Sequence, residues 1–235
     1  MKKILMLLLF VALCTIANAQ GMEDAMNNRQ SDFLISKTYS VGDIYDENGV
    51  KGLVVSTEDS GRHGLIMSLD SFKGKWTTEK NIIVGCNDES DGQNNMDALT
   101  QYIERNNLSW SQFPLFEWCK NKGKGWYIPS KDEVEVIMSV LNGCIGEYDY
   151  NKWKEIDKLL KDNGGTGLIG NVKSPNSNMF NNKKMPYHLS SSTEGESNKA
   201  FFGTCQSVLF SDKIKIMEVK KTFGRYTGSR AVRKF

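Results

Sequence analysis

The sequence predicts an α+β domain with antiparallel sheets, a helical middle section and a long surface loop, and three observations carry that prediction. Short apolar runs broken by turn residues fill the stretch from Tyr39 to about Gly85. Helical periodicity follows from Met96 to Leu160, and strand-like runs return after His188. Between these lies a Gly-, Asn- and Ser-rich stretch from Thr166 to Met185, which reads as the loop. The order of strands, helices, loop and strands differs from the strand-helix alternation of a doubly wound parallel sheet.

At the amino terminus, Lys2 and Lys3 precede an apolar run, Ile4 to Ile16, and Ala17-Asn18-Ala19 has the small-x-small form of a cleavage site. Residues 1–19 therefore read as a signal peptide. The alternative is acylation on Cys14, although Leu13 stands where that processing needs a small residue. No later segment approaches the roughly 20 apolar residues of a spanning helix. The expected product is exported to the periplasm, cell surface or exterior and is not an integral membrane protein. Residues 20–38 are polar and without period, a flexible tether, and 39–235 are expected to form a single domain with an N-terminal β extension.

The elements follow in order. Val41 to Tyr45, a turn at Asp46-Glu47-Asn48-Gly49, Gly52 to Ser56, a Ser60-Gly61 turn and Leu65 to Leu69 predict an antiparallel meander, with Asn81 to Gly85 as a further strand. Met96, Leu99 and Ile103 mark one helix, and Phe113 to Lys120 a second, aromatic-rich one. Ser130 and Glu133, directly behind Pro129, form a capping box that starts a helix carrying Val134, Ile137, Met138 and Leu141 on one face. Trp153, Ile156, Leu159 and Leu160 line a further helix, stopped by Asn163-Gly164-Gly165. His188 to Ser192, Ala200 to Phe210, Lys213 to Val219 and Gly228 to Phe235 are the closing strands.

Charge and cysteines narrow the functional classes. The chain has 30 Lys and Arg against 28 Asp and Glu, and loss of Lys2 and Lys3 with the leader brings it to balance. Such a chain has no global attraction for nucleic acid. Cys86, Cys119, Cys144 and Cys205 remain, an even number in an oxidising compartment, so at least one disulfide is expected. Three connectivities stay open, and buried thiols are the alternative.

Phe116-x-Trp118-Cys119, then Gly123-x-Gly125-Trp126-Tyr127-Ile128-Pro129-Ser130, Gly164-Gly165-Thr166, Ser191-Ser192-Thr193-Glu194 and Arg230-Ala231-Val232-Arg233-x-Phe235 together resemble the Fibrobacter succinogenes major paralogous domain family. Val41-Gly42-Asp43-Ile44-Tyr45, Asn48 to Gly52 and Gly61-Arg62-His63-Gly64 resemble the front part of secreted Bacteroidetes members, so the resemblance covers residues 39–235. It implies a C-type lectin-like fold and a kinship with the C-terminal domain of the Legionella collagen-like adhesin.

Several residues are expected to be structural. Trp126, Pro129 and Ser130 set the entry into the capped helix. Arg230 and Arg233 fall on opposite faces of an extended strand, so at least one points inward and needs a carboxylate or carbonyl partner, for which Glu194 is a candidate. Phe235 reads as a core anchor.

For catalysis, His63 and His188 have no zinc-like or triad-like neighbourhood in sequence, and a nucleophile built from Cys119 or Cys205 with His188 would have to assemble in space. Formylglycine-generating enzymes, relatives within the implied fold group, need two copper-binding cysteines close together late in the chain, where only Cys205 falls here. No cofactor is expected. Calcium is a weaker possibility: Ser174-Pro175-Asn176 lacks the carboxylate of a lectin loop, Asn176 and Asn178 read as turn formers or weak ligand contacts, and Asp88-Glu89-Ser90-Asp91 lacks EF-hand spacing. Between Lys213 and Lys234 there are eight basic residues and one acid, Glu218. Lys213, Lys215, Lys220 and Lys221 are thus the candidate contacts for a polyanion, with edge-strand protection the alternative. The expected function is a noncatalytic secreted or cell-surface binding or adhesion module for a glycan, matrix or protein partner. The alternative is a hydrolase or formylglycine-generating-enzyme-like oxidoreductase on the same scaffold.

Overall fold

Asn48 and Gly49 both take positive φ, 52° and 75°, the backbone a two-residue hairpin turn needs to match strand twist. The turn joins β1 (Ile44–Glu47) to β2 (Val50–Glu58), and β3 (His63–Ser68) pairs antiparallel with β2. Leu53, Val54 and Val55 of β2 are all buried, so this strand is covered on both faces. The computed structural model describes residues 37–142, 150–168, 188–205, 214–222 and 228–235. Residues Tyr39–Phe235 form one compact unit.

The remaining elements are β4 (Phe72–Lys73), α1 (Gly92–Arg105), α2 (Pro114–Lys120), α3 (Lys131–Asn142), α4 (Tyr150–Asp162), β5 (His188–Glu194), β6 (Lys199–Cys205), β7 (Ile214–Lys220), β8 (Gly228–Ser229) and β9 (Val232–Lys234). Two sheets result, one ordered β1-β2-β3-β9 and the other β4-β8-β5-β6-β7. The pairs are antiparallel except for a short parallel contact between β5 and β8. Helices and antiparallel sheets thus make an α+β fold. Among the described residues no helix is long and apolar enough to cross a membrane.

The starts of α1, α2 and α3 each have a local cause. The Asp91 side chain accepts from Gln93 N–H at 2.9 Å to open α1, and Pro114 opens α2, where its missing N–H costs no hydrogen bond. At α3 the capping box is formed: Ser130 Oγ accepts from Glu133 N–H at 3.2 Å and Glu133 Oε2 accepts from Ser130 N–H at 2.8 Å. Val134, Ile137, Met138 and Leu141 are buried as α3 packs on β5 and β6. Trp126, Tyr127 and Ile128 join the same core.

Two expected strands come out differently. Asn81 to Gly85 joins no sheet, and the N–H groups of Val84 and Gly85 go to the Glu194 carboxylate instead of a ladder. Gly228 to Phe235 is not one strand: β8 belongs to one sheet and β9 to the other, with Arg230 and Ala231 buried between them. The terminal segment therefore ties the two sheets together. The expected leader, most of the tether, Cys144, Asn176, Asn178 and Lys213 lie outside the described residues.

Candidate functional site

Three constellations of polar side chains stand out, and two of them hold the fold. Glu194, at the end of β5, accepts from Val84 N–H at 2.9 and 3.1 Å, Gly85 N–H at 2.7 Å and Cys86 N–H at 3.1 Å. Lys221 Nζ pairs with the same carboxylate, donates to Ile82 O at 2.8 Å and lies 4.8 Å from the Trp76 ring centroid. The two side chains are 0% and 3% exposed, so this is a buried ion pair whose remaining hydrogen bonds are filled. It pins the segment from Ile82 to Cys86.

Arg230 is fully buried as well, and its guanidinium donates to Ser68 O at 3.0 Å, Leu69 O at 2.5 Å and Thr166 O. A planar fork of five donors suits this convergence of carbonyls. The Ser191 to Thr193 run is buried with it: Ser192 N–H donates to Pro129 O at 2.7 Å, and Thr193 Oγ1 accepts from Lys131 N–H at 3.0 Å while donating to Asp88 O at 2.9 Å. Pro129 is thereby fixed by β5.

Glu194 was expected beside an arginine, and its cationic partner is Lys221 instead. Lys221, expected as an exposed ligand contact, is buried, since one step along from exposed Lys220 the chain turns inward to that carboxylate. Lys215 lies on β7 and Lys220 is exposed. Cys86 and Cys119 are buried free thiols, so neither joins the disulfide expected among Cys86, Cys119, Cys144 and Cys205, and the pairing of Cys144 with Cys205 reaches outside the described residues. Burial, with the Glu194 charge, pushes the Cys86 thiol up, and burial pushes Cys119 up to about 12. Neither is poised as a nucleophile. The Asp88 carboxylate accepts from the Asn94 side chain at 2.7 Å and from Asp91 and Ser90 N–H groups at 2.9 Å, so these oxygens organise their own loop. Those bonds hold Asp88 well below the usual carboxylate range. Among the described residues no group of three His, Cys, Asp or Glu side chains is placed to hold a metal ion.

The third constellation faces solvent. A cleft of about 430 Å³ is lined by Gln93, Lys124, Gly125, Tyr127, Arg233 and Lys234. Its floor is rigid: Tyr127 exchanges backbone hydrogen bonds with Val232 at 2.8 and 2.9 Å, and its hydroxyl donates to Glu133 Oε1 at 2.7 Å. Burial and that carboxylate push the Tyr127 phenol up, so the hydroxyl stays a donor. Glu133 also accepts from Gly92 N–H at 3.0 Å, so one carboxylate caps both α1 and α3 beneath the cleft. At the rim, Lys234 Nζ meets Asp91 Oδ2 at 2.7 Å and Arg233 Nη1 donates to Lys124 O at 2.9 Å. Among the described residues neither Lys124 nor Arg233 has a carboxylate partner. Arg233, expected to be structural, is partly exposed and lines this cleft. Phe235, next to it, packs its ring against Tyr39 and Tyr45 at 5.6 and 4.9 Å.

No protein-family model matches the chain, and no curated protein matches it. Its fold is similar to that of a fimbrial protein from Bacteroides ovatus, known from a crystal structure, with a TM-score of 0.51 and 16% sequence identity over 84% of this chain. The match covers 48% of the fimbrial protein, so the chain spans about half of that protein's length. At this identity the likeness is one of fold.

Proposed function

We propose that this protein is a noncatalytic, exported binding or adhesion module of the cell surface, built on a C-type lectin-like scaffold. The observation that carries the reading is the division of its charged groups. Glu194, Lys221, Arg230 and Asp88 spend their hydrogen bonds on the fold, while Lys124 and Arg233 stand uncompensated around an open cleft. Charge displayed on a rigid rim suits recognition, and the buried thiols, with pKa values pushed up, do not suit covalent chemistry. The likeness to a fimbrial protein and the motif resemblance to the collagen-like adhesin's domain point the same way, as analogies of fold. Partners are a glycan, matrix component or protein. Immobilised protein spanning residues 20–235 should bind a subset of an array of neutral glycans, acidic glycans and matrix proteins, saturably and equally with calcium or chelator. Absence of binding across the array would overturn the reading, and calcium-dependent capture of neutral sugar alone would move the site away from the cationic rim.

A further inference from the structure

Strand β9 is paired only part of the way along its outer edge. Phe235 exchanges two backbone hydrogen bonds with Gly64, at 3.1 and 3.3 Å. Partners in an antiparallel ladder alternate between bonded and non-bonded pairs, so Lys234, opposite Leu65, turns its N–H and C=O away from β3. Val232 faces the same way and meets Tyr127 there. Two residues further in the same register, Gly125 would stand opposite Lys234. Gly125 instead sits at φ 86° in a turn where Trp126 N–H donates to Gly123 O at 3.4 Å. Among the described residues no backbone hydrogen bond closes between Gly125 and Lys234. The pairing opens at this point, and the cleft is the gap.

We infer that this gap is a docking site for a short extended peptide segment of a protein partner that carries an acidic side chain. The proposal rests on the binding-module reading and specifies its site. The main chain of the segment takes the N–H and C=O of Lys234, as strand addition does at a sheet edge. Its carboxylate meets the Arg233 guanidinium, whose planar fork donates to both oxygens, with the Lys124 ammonium adding charge. Asp91 pairs with Lys234, which Glu133 and Glu58 also face, so Lys124 and Arg233 are the cations left for an acidic group. A main-chain edge beside a cationic fork favours a peptide over a saccharide, whose hydroxyls do not repeat the amide N–H and C=O spacing of a strand.

Fluorescence anisotropy with labelled pentapeptides tests this, using β-branched residues around a central aspartate or glutamate and the matching asparagine and glutamine peptides. The acidic peptides should bind at least tenfold more tightly than the amides, and their advantage should shrink as salt rises. N-methylation of the peptide backbone at the residue paired with Lys234 should reduce binding about tenfold. A Lys124→Gln/Arg233→Gln variant should lose the acid preference while keeping the native circular dichroism spectrum, and Lys220→Gln, at an exposed site on another sheet, should bind as wild type. Equal binding of acid and amide, indifference to N-methylation, or displacement of the peptides by an oligogalacturonate that binds more tightly would overturn the proposal. Array binding that survives in the Lys124→Gln/Arg233→Gln variant would reject this site and leave the module reading intact. Acidic-peptide binding by a protein silent on the glycan and matrix array would support the site and count against that wider reading.

Discussion

Replacing Lys221 by Met should destabilise the protein far more than loss of a surface charge. The ammonium sits against Glu194 with both side chains almost fully buried, and methionine fills much the same volume without the charge. Glu194 is then left as a buried carboxylate with three residues' backbone N–H groups around it but no cation. Breaking a buried pair on one side costs about 3 to 5 kcal/mol, a large part of the roughly 5 to 15 kcal/mol that holds a domain folded. For a domain of this size each kcal/mol moves the thermal midpoint by about 2 to 4 °C, so a fall of roughly 6 to 20 °C is expected. Urea unfolding monitored by tryptophan fluorescence gives the free energy, and hydrogen exchange at Val84, Gly85 and Cys86 gives the local effect. Adding Glu194→Gln to Lys221→Met should recover part of the loss, with a coupling of about 2 kcal/mol or more. A Lys221→Met protein within about 1 kcal/mol of wild type and with unchanged exchange at those amides would refute this role for the pair.

Other outcomes follow from the same geometry. Ser130→Ala should cost about 1 kcal/mol in urea unfolding through the lost cap, and Glu133→Ala about 3 kcal/mol, because Tyr127, Ser130 and Gly92 all lose their acceptor. Gly92→Ala should be poorly tolerated, since a Cβ there would lie 2.2 Å from Ile128 O, and a soluble variant with an unchanged thermal midpoint would contradict that packing. Cys86 and Cys119 should react with a thiol reagent only after unfolding, which mass spectrometry with and without denaturant reads directly. Asp88 is held low by the Asn94 side chain first, then by Asp91 N–H. Its contribution is therefore complete above the ordinary carboxylate pKa of about 3.9 and lost as pH falls towards its depressed folded value. The stability difference between wild type and Asp88→Asn should shrink steadily below pH 4.

What could be read in the sequence was what depends on neighbours along the chain. Asn48-Gly49 as a turn and the Ser130 and Glu133 box are local chemistry, fixed by a few adjacent residues. Glu194 with Lys221 is not, because a 27-residue separation hides the approach of two strand ends. Ile82-Ile83-Val84 has the composition of a strand, yet a buried carboxylate takes the N–H groups at its end, those of Val84 and Gly85. Parity along Arg230 to Arg233 suggested opposite faces of one strand and missed that the chain changes sheets between them. The cleft was least visible of all. Gln93 and Lys124 carry no motif, and they meet Arg233 only because Tyr127 pairs with Val232 and the pairing then stops. Glycine at 125, inside the Gly123-x-Gly125-Trp126 run, was the one available signal, since its positive φ is what ends that pairing.

The division between charges that build the fold and charges that recognise a partner is tested most directly by one paired measurement. Wild type and the Lys124→Gln/Arg233→Gln variant are applied to the same glycan, matrix-protein and acidic-peptide array, and thermal unfolding is recorded on the same preparations. Binding reduced at least tenfold, with a midpoint within about 4 °C of wild type, is the predicted result, since Lys124 is exposed and partly exposed Arg233 loses one hydrogen bond worth about 1 kcal/mol. Undiminished binding in the variant, or a midpoint lowered as far as that of Lys221→Met, would contradict it.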